Sequence, residues 1–158
     1  MQNEKRDTMK LLLDADGCPV VDIAVCLAKK YRVECIILCD TSHLFERDGA
    51  RTITVSKGTD SVDFTLVNLV EKGDVIITQD YGLAAMCLAR EGITVSQNGM
   101  IYNQNNIDSL LMQRHTAKKI RMAGGRAKAI PKRTKQQDEE FTKVLSTILE
   151  KKEGKNSV

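Results

Sequence analysis

Asp14 and Asp16 stand one residue apart at the end of an unbroken apolar run, Leu11-Leu12-Leu13, and are followed by Gly17-Cys18-Pro19. A short continuous apolar run reads as a buried strand. The chain then turns at Gly17 and is expected to restart as a helix with Pro19 in its first position, where the missing N–H costs nothing. In open α/β sheets the ends of strands at such turns are where ligands bind. Asp16 taken alone reads as the cap of the following helix. Capping does not account for Asp14, a residue type that strands disfavour. An acid retained at a strand end suits a divalent cation.

Further carboxylates occur in comparable places. Asp80 ends the apolar stretch Val75-Ile76-Ile77-Thr78 much as Asp14 ends its own. Asp60 and Asp63 are three apart at the start of a predicted helix and share a face, although D-x-x-D before an apolar run also imitates a capping box. Each acid has an ordinary explanation as a cap. Four or five around one crevice would repel one another unless a cation neutralised them. Ligands made only of oxygen favour Mg²⁺ or Mn²⁺ over zinc, and such ions hold phosphates and activate water for displacement at phosphorus.

The elements that position these acids alternate. Strands are predicted at 11–13, 33–39, 51–55, 74–78 and 93–95, with helices at about 20–30, 60–70, 83–90, 104–122 and 138–151. This pattern predicts a three-layer α/β/α fold with a mainly parallel sheet. Right-handed crossovers lead to strand order 3-2-1-4-5, with the first and fourth strands adjacent at the switch point. In that order Asp14, Asp16 and Asp80 converge.

At 158 residues and 42% hydrophobic, the chain suits one domain with one substantial core. With no Trp and only six Phe and Tyr together, that core must be aliphatic. No apolar run approaches the roughly 20 residues of a membrane span, and the charged residues 1–8 do not resemble a signal peptide. Five cysteines without a CxxC pair read as reduced, buried side chains, and the expected location is cytoplasmic. Residues 1–8 are expected to be a disordered extension, 9–125 the domain, and 126–158 a basic linker followed by an amphipathic helix. That last helix carries Phe141, Val144, Leu145, Ile148 and Leu149 on one stripe. It should dock on its own domain or on a partner chain, the latter making a homo-oligomer.

Charge is distributed unevenly. Nine Lys and Arg and no acid lie between Arg114 and Lys135, so the remainder of a chain of net charge +3 carries −6. Arg114, Lys118 and Arg121 share one helical face at i, i+4 and i+7. The stripe suits a polyanion, RNA above all, held through its phosphates, and equally suits a solvated helix face. It contains no aromatic residue on which unpaired bases could stack.

Several stretches together resemble the YaiI/YqxD family of bacterial proteins, relatives of PIN-like nuclease domains. They are Asp14-Ala15-Asp16-Gly17-Cys18-Pro19-Val20, Gly58-Thr59-Asp60-Ser61-Val62-Asp63, Gly73 to Asp80 with Leu83-Ala84-Ala85, and Asn106-Ile107 followed by Arg114 and Arg121. The resemblance covers about residues 9–125 and leaves the final helix outside. It implies a metal-dependent ribonuclease in which Asp14 is the first-strand acid, Asp63 the helical acid before the fourth strand, and Asp80 the acid of the T-x-D turn. The helical glutamate usual in PIN ribonucleases has no clear match; Glu46 is the nearest candidate, and Asp16 or Asp60 could substitute. Two alternatives stand beside this reading. One is a non-catalytic RNA-binding protein. The other, less favoured, is a haloacid-dehalogenase-like phosphatase with Asp14 as nucleophile and Asp16 as general acid.

Overall fold

The computed structural model describes residues 9–41, 45–56, 61–122 and 132–156, the side chains of 61, 114–122 and 152–156 excepted. The expected N-terminal extension, Asp60 and residues 123–131 of the basic linker lie outside the described residues.

Among the described residues five strands, β1 (Lys10–Asp14), β2 (Glu34–Asp40), β3 (Arg51–Val55), β4 (Val75–Ile77) and β5 (Ile93–Val95), form one sheet in the order β3-β2-β1-β4-β5. Every strand pair is parallel. The expected order is therefore the observed one. Among the described residues five helices accompany it: α1 (Val21–Lys30), α2 (Ser61–Leu69), α3 (Tyr81–Ala89), α4 (Gln104–Met122) and α5 (Lys135–Asn156).

Both faces of the sheet are covered, which is why its central strands read as unbroken apolar runs. Leu11, Leu13, Cys35, Ile37, Val75 and Ile77 face α1 and α5. The alternate residues Leu12, Ile36, Leu38 and Ile76 face Leu66 and Val70 of the α2 segment and Leu83 and Cys87 of α3. A smaller cluster of Ala84, Tyr102 and Ile107 joins α4 to the outer side of α3. The stripe of α5 is used within the chain. Phe141, Leu145 and Leu149 are fully buried in the cluster shared with α1, and Tyr31 donates its hydroxyl to Glu150 at 3.2 Å.

Two local expectations are corrected. Helix α1 starts at Val21 with Val20 as its cap residue, so Pro19 lies in the preceding turn and Asp16 does not cap. The reason is backbone bonding. Ala15 N–H continues the β1–β2 ladder to Leu38 O, and Cys18 N–H closes a turn onto Ala15 O around Gly17, whose φ is +72°. A positive φ at the third residue is the mark of a type II turn, which glycine alone adopts cheaply. That turn delays the helix.

At the opposite end of the sheet, buried Asp74 locks the start of β1 to the end of the α2 segment. Its carboxylate accepts Lys10 N–H at 3.0 Å, Lys10 Nζ at 2.7 Å and Glu71 N–H at 2.8 Å. Burial alone would lower the Lys10 pKa, but hydrogen bonds and charge from Asp74 and Glu71 outweigh it and raise the value above 10.5. The contribution of Lys10 is therefore complete below pH 10.5 and is lost as pH climbs through the raised folded-state value. Asp74→Asn should cost about 1.5–3 kcal/mol, the worth of hydrogen bonds to a charged group. It should also reduce the alkaline loss attributable to Lys10, Glu71 remaining as its other acidic partner. Urea denaturation at pH 7 and pH 11 reads both; an unchanged midpoint at pH 7 would show the lock to be inert.

Candidate acidic site at the strand ends

Asp14 is the last residue of β1, and the pairing of Leu13 with Ile77 brings Thr78 beside it. The buried Thr78 hydroxyl donates to Asp14 Oδ2 at 2.7 Å and accepts Asp80 N–H at 3.0 Å. Its backbone is held as well, N–H to Val95 O at 3.1 Å and C=O from the Tyr102 hydroxyl at 3.1 Å. One threonine thus orients Asp14 and ties it to the turn that carries Asp80. Asp80 Oδ1 accepts Leu83 N–H at 3.1 Å and caps α3. The capping explanation therefore holds for Asp80, while its charge is still felt by Asp14.

The Asp14 carboxyl is pushed up from 3.8 to about 6. Burial is the main cause; the Thr78 hydrogen bond opposes it, and the nearby charges of Asp63, Asp80 and Asp16 add to it. Four of the five acids singled out in the sequence thus share one electrostatic neighbourhood, and Asp60 lies outside the described residues. Asp16, two residues past the strand, accepts Asp40 N–H at 3.3 Å. Glu46 is exposed in the β2–β3 loop and is not among the charges acting on Asp14.

Arg114, Lys118 and Arg121 all fall within α4, whose earlier part packs through Ile107 against the α3 side. Their side chains lie outside the described residues.

Residues that the sequence reading did not single out complete the edge. Asp40 ends β2 after the apolar run Cys35–Cys39, the same signal that marked Asp14. Gln79 Oε1 accepts Gln97 N–H at 2.8 Å, joining the β4 turn to the turn after β5. Arg133 reaches that second turn from just before α5. No local pattern announces a partner so distant in sequence.

The donor set consists of oxygen alone, which suits Mg²⁺ or Mn²⁺. Among the described residues no group of three or more His, Cys, Asp or Glu is placed to hold a metal ion. Mg²⁺ does not need such a group, because it ordinarily keeps several waters and takes one or two carboxylates together with substrate phosphates. Asp14 and Asp80, linked through Thr78, fit that lesser requirement.

A doubly wound parallel sheet with acids at the carboxyl ends of its adjacent central strands defines an α/β protein with an acidic switch-point site. This chain belongs to the YaiI/YqxD family: the model described as "Uncharacterized BCR, YaiI/YqxD family" matches residues 12–151. The match takes in most of α5, which the motifs in the sequence had left outside the resemblance. A "UPF0178 protein" of Exiguobacterium sibiricum is 50% identical over 144 residues, covering 91% of this chain and 99% of the relative. Another from Ruminiclostridium cellulolyticum is 50% identical over 87% of this chain and 90% of the relative. One from Clostridium acetobutylicum is 43% identical over 89% and 97%. No solved structure matches the chain. Among the described residues no helix is long and apolar enough to cross a membrane.

Proposed function

We propose that this protein is a PIN-like ribonuclease that uses a carboxylate-held Mg²⁺ or Mn²⁺ to hydrolyse phosphodiester bonds. The observation that carries the reading is the tie between Asp14 and Asp80 through Thr78, with Asp63 and Asp16 close enough to raise the Asp14 pKa. Asp14 and Asp80 would hold the cation, with Asp63, Asp16 and Asp60 as further acids of the same edge. When bound, the cation supplies an activated water and screens the charge that develops on the phosphate. Thr78 keeps the Asp14 carboxylate facing the site, and the buried strand end excludes bulk water from one side of it. Arg114, Lys118 and Arg121 would hold the RNA backbone, a role drawn from their spacing and charge. A cytoplasmic location agrees with free cysteines at 18, 26, 35, 39 and 87.

The test combines binding and cleavage on one single-stranded RNA. Arg114→Ala with Lys118→Ala and Arg121→Ala should weaken binding and flatten the plot of log K against log salt by about 2, at roughly 0.7 per phosphate contact. Asp80→Asn should preserve the fold, since Asn caps a helix as well as Asp, and should preserve RNA binding while abolishing cation-dependent cleavage. Filter binding across a salt series and gel assays with Mg²⁺ or Mn²⁺ measure the two. RNA binding by the parent without cleavage under either ion would reject the nuclease.

One observation favours a second reading, a non-catalytic RNA-binding protein: Asp80 already serves as a helix cap. Isothermal titration with Mn²⁺ separates the two, because this reading requires no heat of binding that depends on Asp14.

A further inference from the structure

We propose that Arg133 is a positioning residue for the acidic edge: it ties the start of α5 to the turn after β5, and through Gln79 it steadies the Thr78–Asp80 turn. This inference rests on the acidic edge being the working site.

The Arg133 side chain is 19% exposed, and its guanidinium makes three short hydrogen bonds. Nε donates to Asp138 Oδ1 at 2.6 Å, Nη1 to Asn98 Oδ1 at 2.7 Å, and Nη2 to Gln97 O at 2.7 Å. A planar fork engaging several acceptors at once fixes geometry in a way a lysine ammonium does not. On the helix side, Thr134 and Gln137 exchange side-chain-to-backbone hydrogen bonds of 2.9 and 3.2 Å, a reciprocal cap that sets the start of α5. On the sheet side, Gly99 at φ +88° lets the turn approach α5 closely; a Cβ there would stand 3.1 Å from Glu140 O.

The contacts continue to the acids. Gln97, whose carbonyl Arg133 holds, gives its N–H to Gln79 Oε1. Gln79 lies between Thr78, which orients Asp14, and Asp80, which caps α3. Two links are hydrogen bonds and the last is the backbone of residues 78–80, so loss of the fork should loosen the far end as well as the near one. The electrostatics agree in placing Arg133 near the edge, since both Arg133 and Asp14 act on the Cys18 thiol.

The full chain, with neither RNA nor cation added, allows a direct test by NMR-detected amide hydrogen exchange. In Arg133→Gln the amides of Gln97, Asp80 and Leu83 should exchange about tenfold faster than in the parent. Leu145→Ala serves as the control, because it loosens the packing of α5 and leaves the fork in place. At matched global stability it should leave those three amides near the parent rate. Asn98→Ala removes a single contact of the fork and should shift the same amides in the same direction, by less, which keeps the comparison available if Arg133→Gln does not fold. Parent-like exchange in both fork variants would overturn the proposal, as would an equal acceleration in Leu145→Ala. RNA cleavage plays no part in the readout, so this proposal and the ribonuclease proposal fail separately.

Discussion

Removing residues 136–158 should lower stability by roughly 4.5–9 kcal/mol, the worth of burying three large apolar side chains at about 1.5–3 kcal/mol each. Phe141, Leu145 and Leu149 are wholly buried, and they close the same cluster that contains Leu11, Leu13 and Val25. Deletion would remove those side chains and also wet the sheet face beneath them. A loss of this size is comparable to the whole stability of an ordinary domain, so the truncated chain should be largely unfolded at 25 °C. Circular dichroism and urea denaturation measure this directly. Leu145→Ala should lose about 2–5 kcal/mol by the same mechanism, through lost contacts and the cavity left behind. A truncated chain that melts with the parent would show that α5 is an appendage.

Asp14→Asn should act in the opposite direction, raising stability at neutral pH while removing the proposed cation-dependent cleavage. The Asp14 carboxyl keeps its proton to about pH 6 in the folded protein, against 3.8 as the ordinary value. Between those values the folded chain binds more protons than the unfolded chain, so stability falls as pH rises from about 4 to 6. The shift corresponds to a penalty on the order of 3 kcal/mol above pH 6. Asparagine is neutral throughout and still offers an oxygen to the Thr78 hydroxyl. The variant should therefore match the parent near pH 3.5 and exceed it by up to that amount at pH 7.5, with a flatter pH profile between. A stability cost retained at a working site is a common trade against activity. Thermal denaturation at the two pH values checks it, and equal melting temperatures at pH 7.5 would remove the case for a strained, buried acid. A site that holds Mn²⁺ should also show the parent, but not the variant, stabilised by the ion.

The class of fold was legible because its signals are local and repeated. Leu11-Leu12-Leu13, Cys35–Cys39 and Val75–Ile77 are short apolar runs, and helical spacing separates them; only a sheet covered on both faces uses such strands. The limits of β3 and β5 matched their sequence patterns residue for residue; β5 lies between Gly92 and Ser96, and β3 stops at Ser56. The start of α1 did not, because the Ala15–Cys18 turn depends on a ladder bond to Leu38 from another strand.

The candidate site divides in the same way. The residue types by themselves determined that an acid ends β1 and another follows β4 in its turn, that a parallel sheet in the order 3-2-1-4-5 would bring them side by side, and that positive charge gathers between residues 114 and 135. Only the tertiary structure decided how those acids are held. Thr78 bridges Asp14 and Asp80, Asp16 turns to the Asp40 N–H instead of capping α1, and Arg133 joins α5 to the turn after β5. Hydrophobic periodicity is written in neighbouring residues, and a sequence displays it. A hydrogen bond between Thr78 and Asp14, 64 positions apart, exists only once the register of β1 on β4 has set two strand ends against each other, and that pairing joins two segments that neither one shows alone.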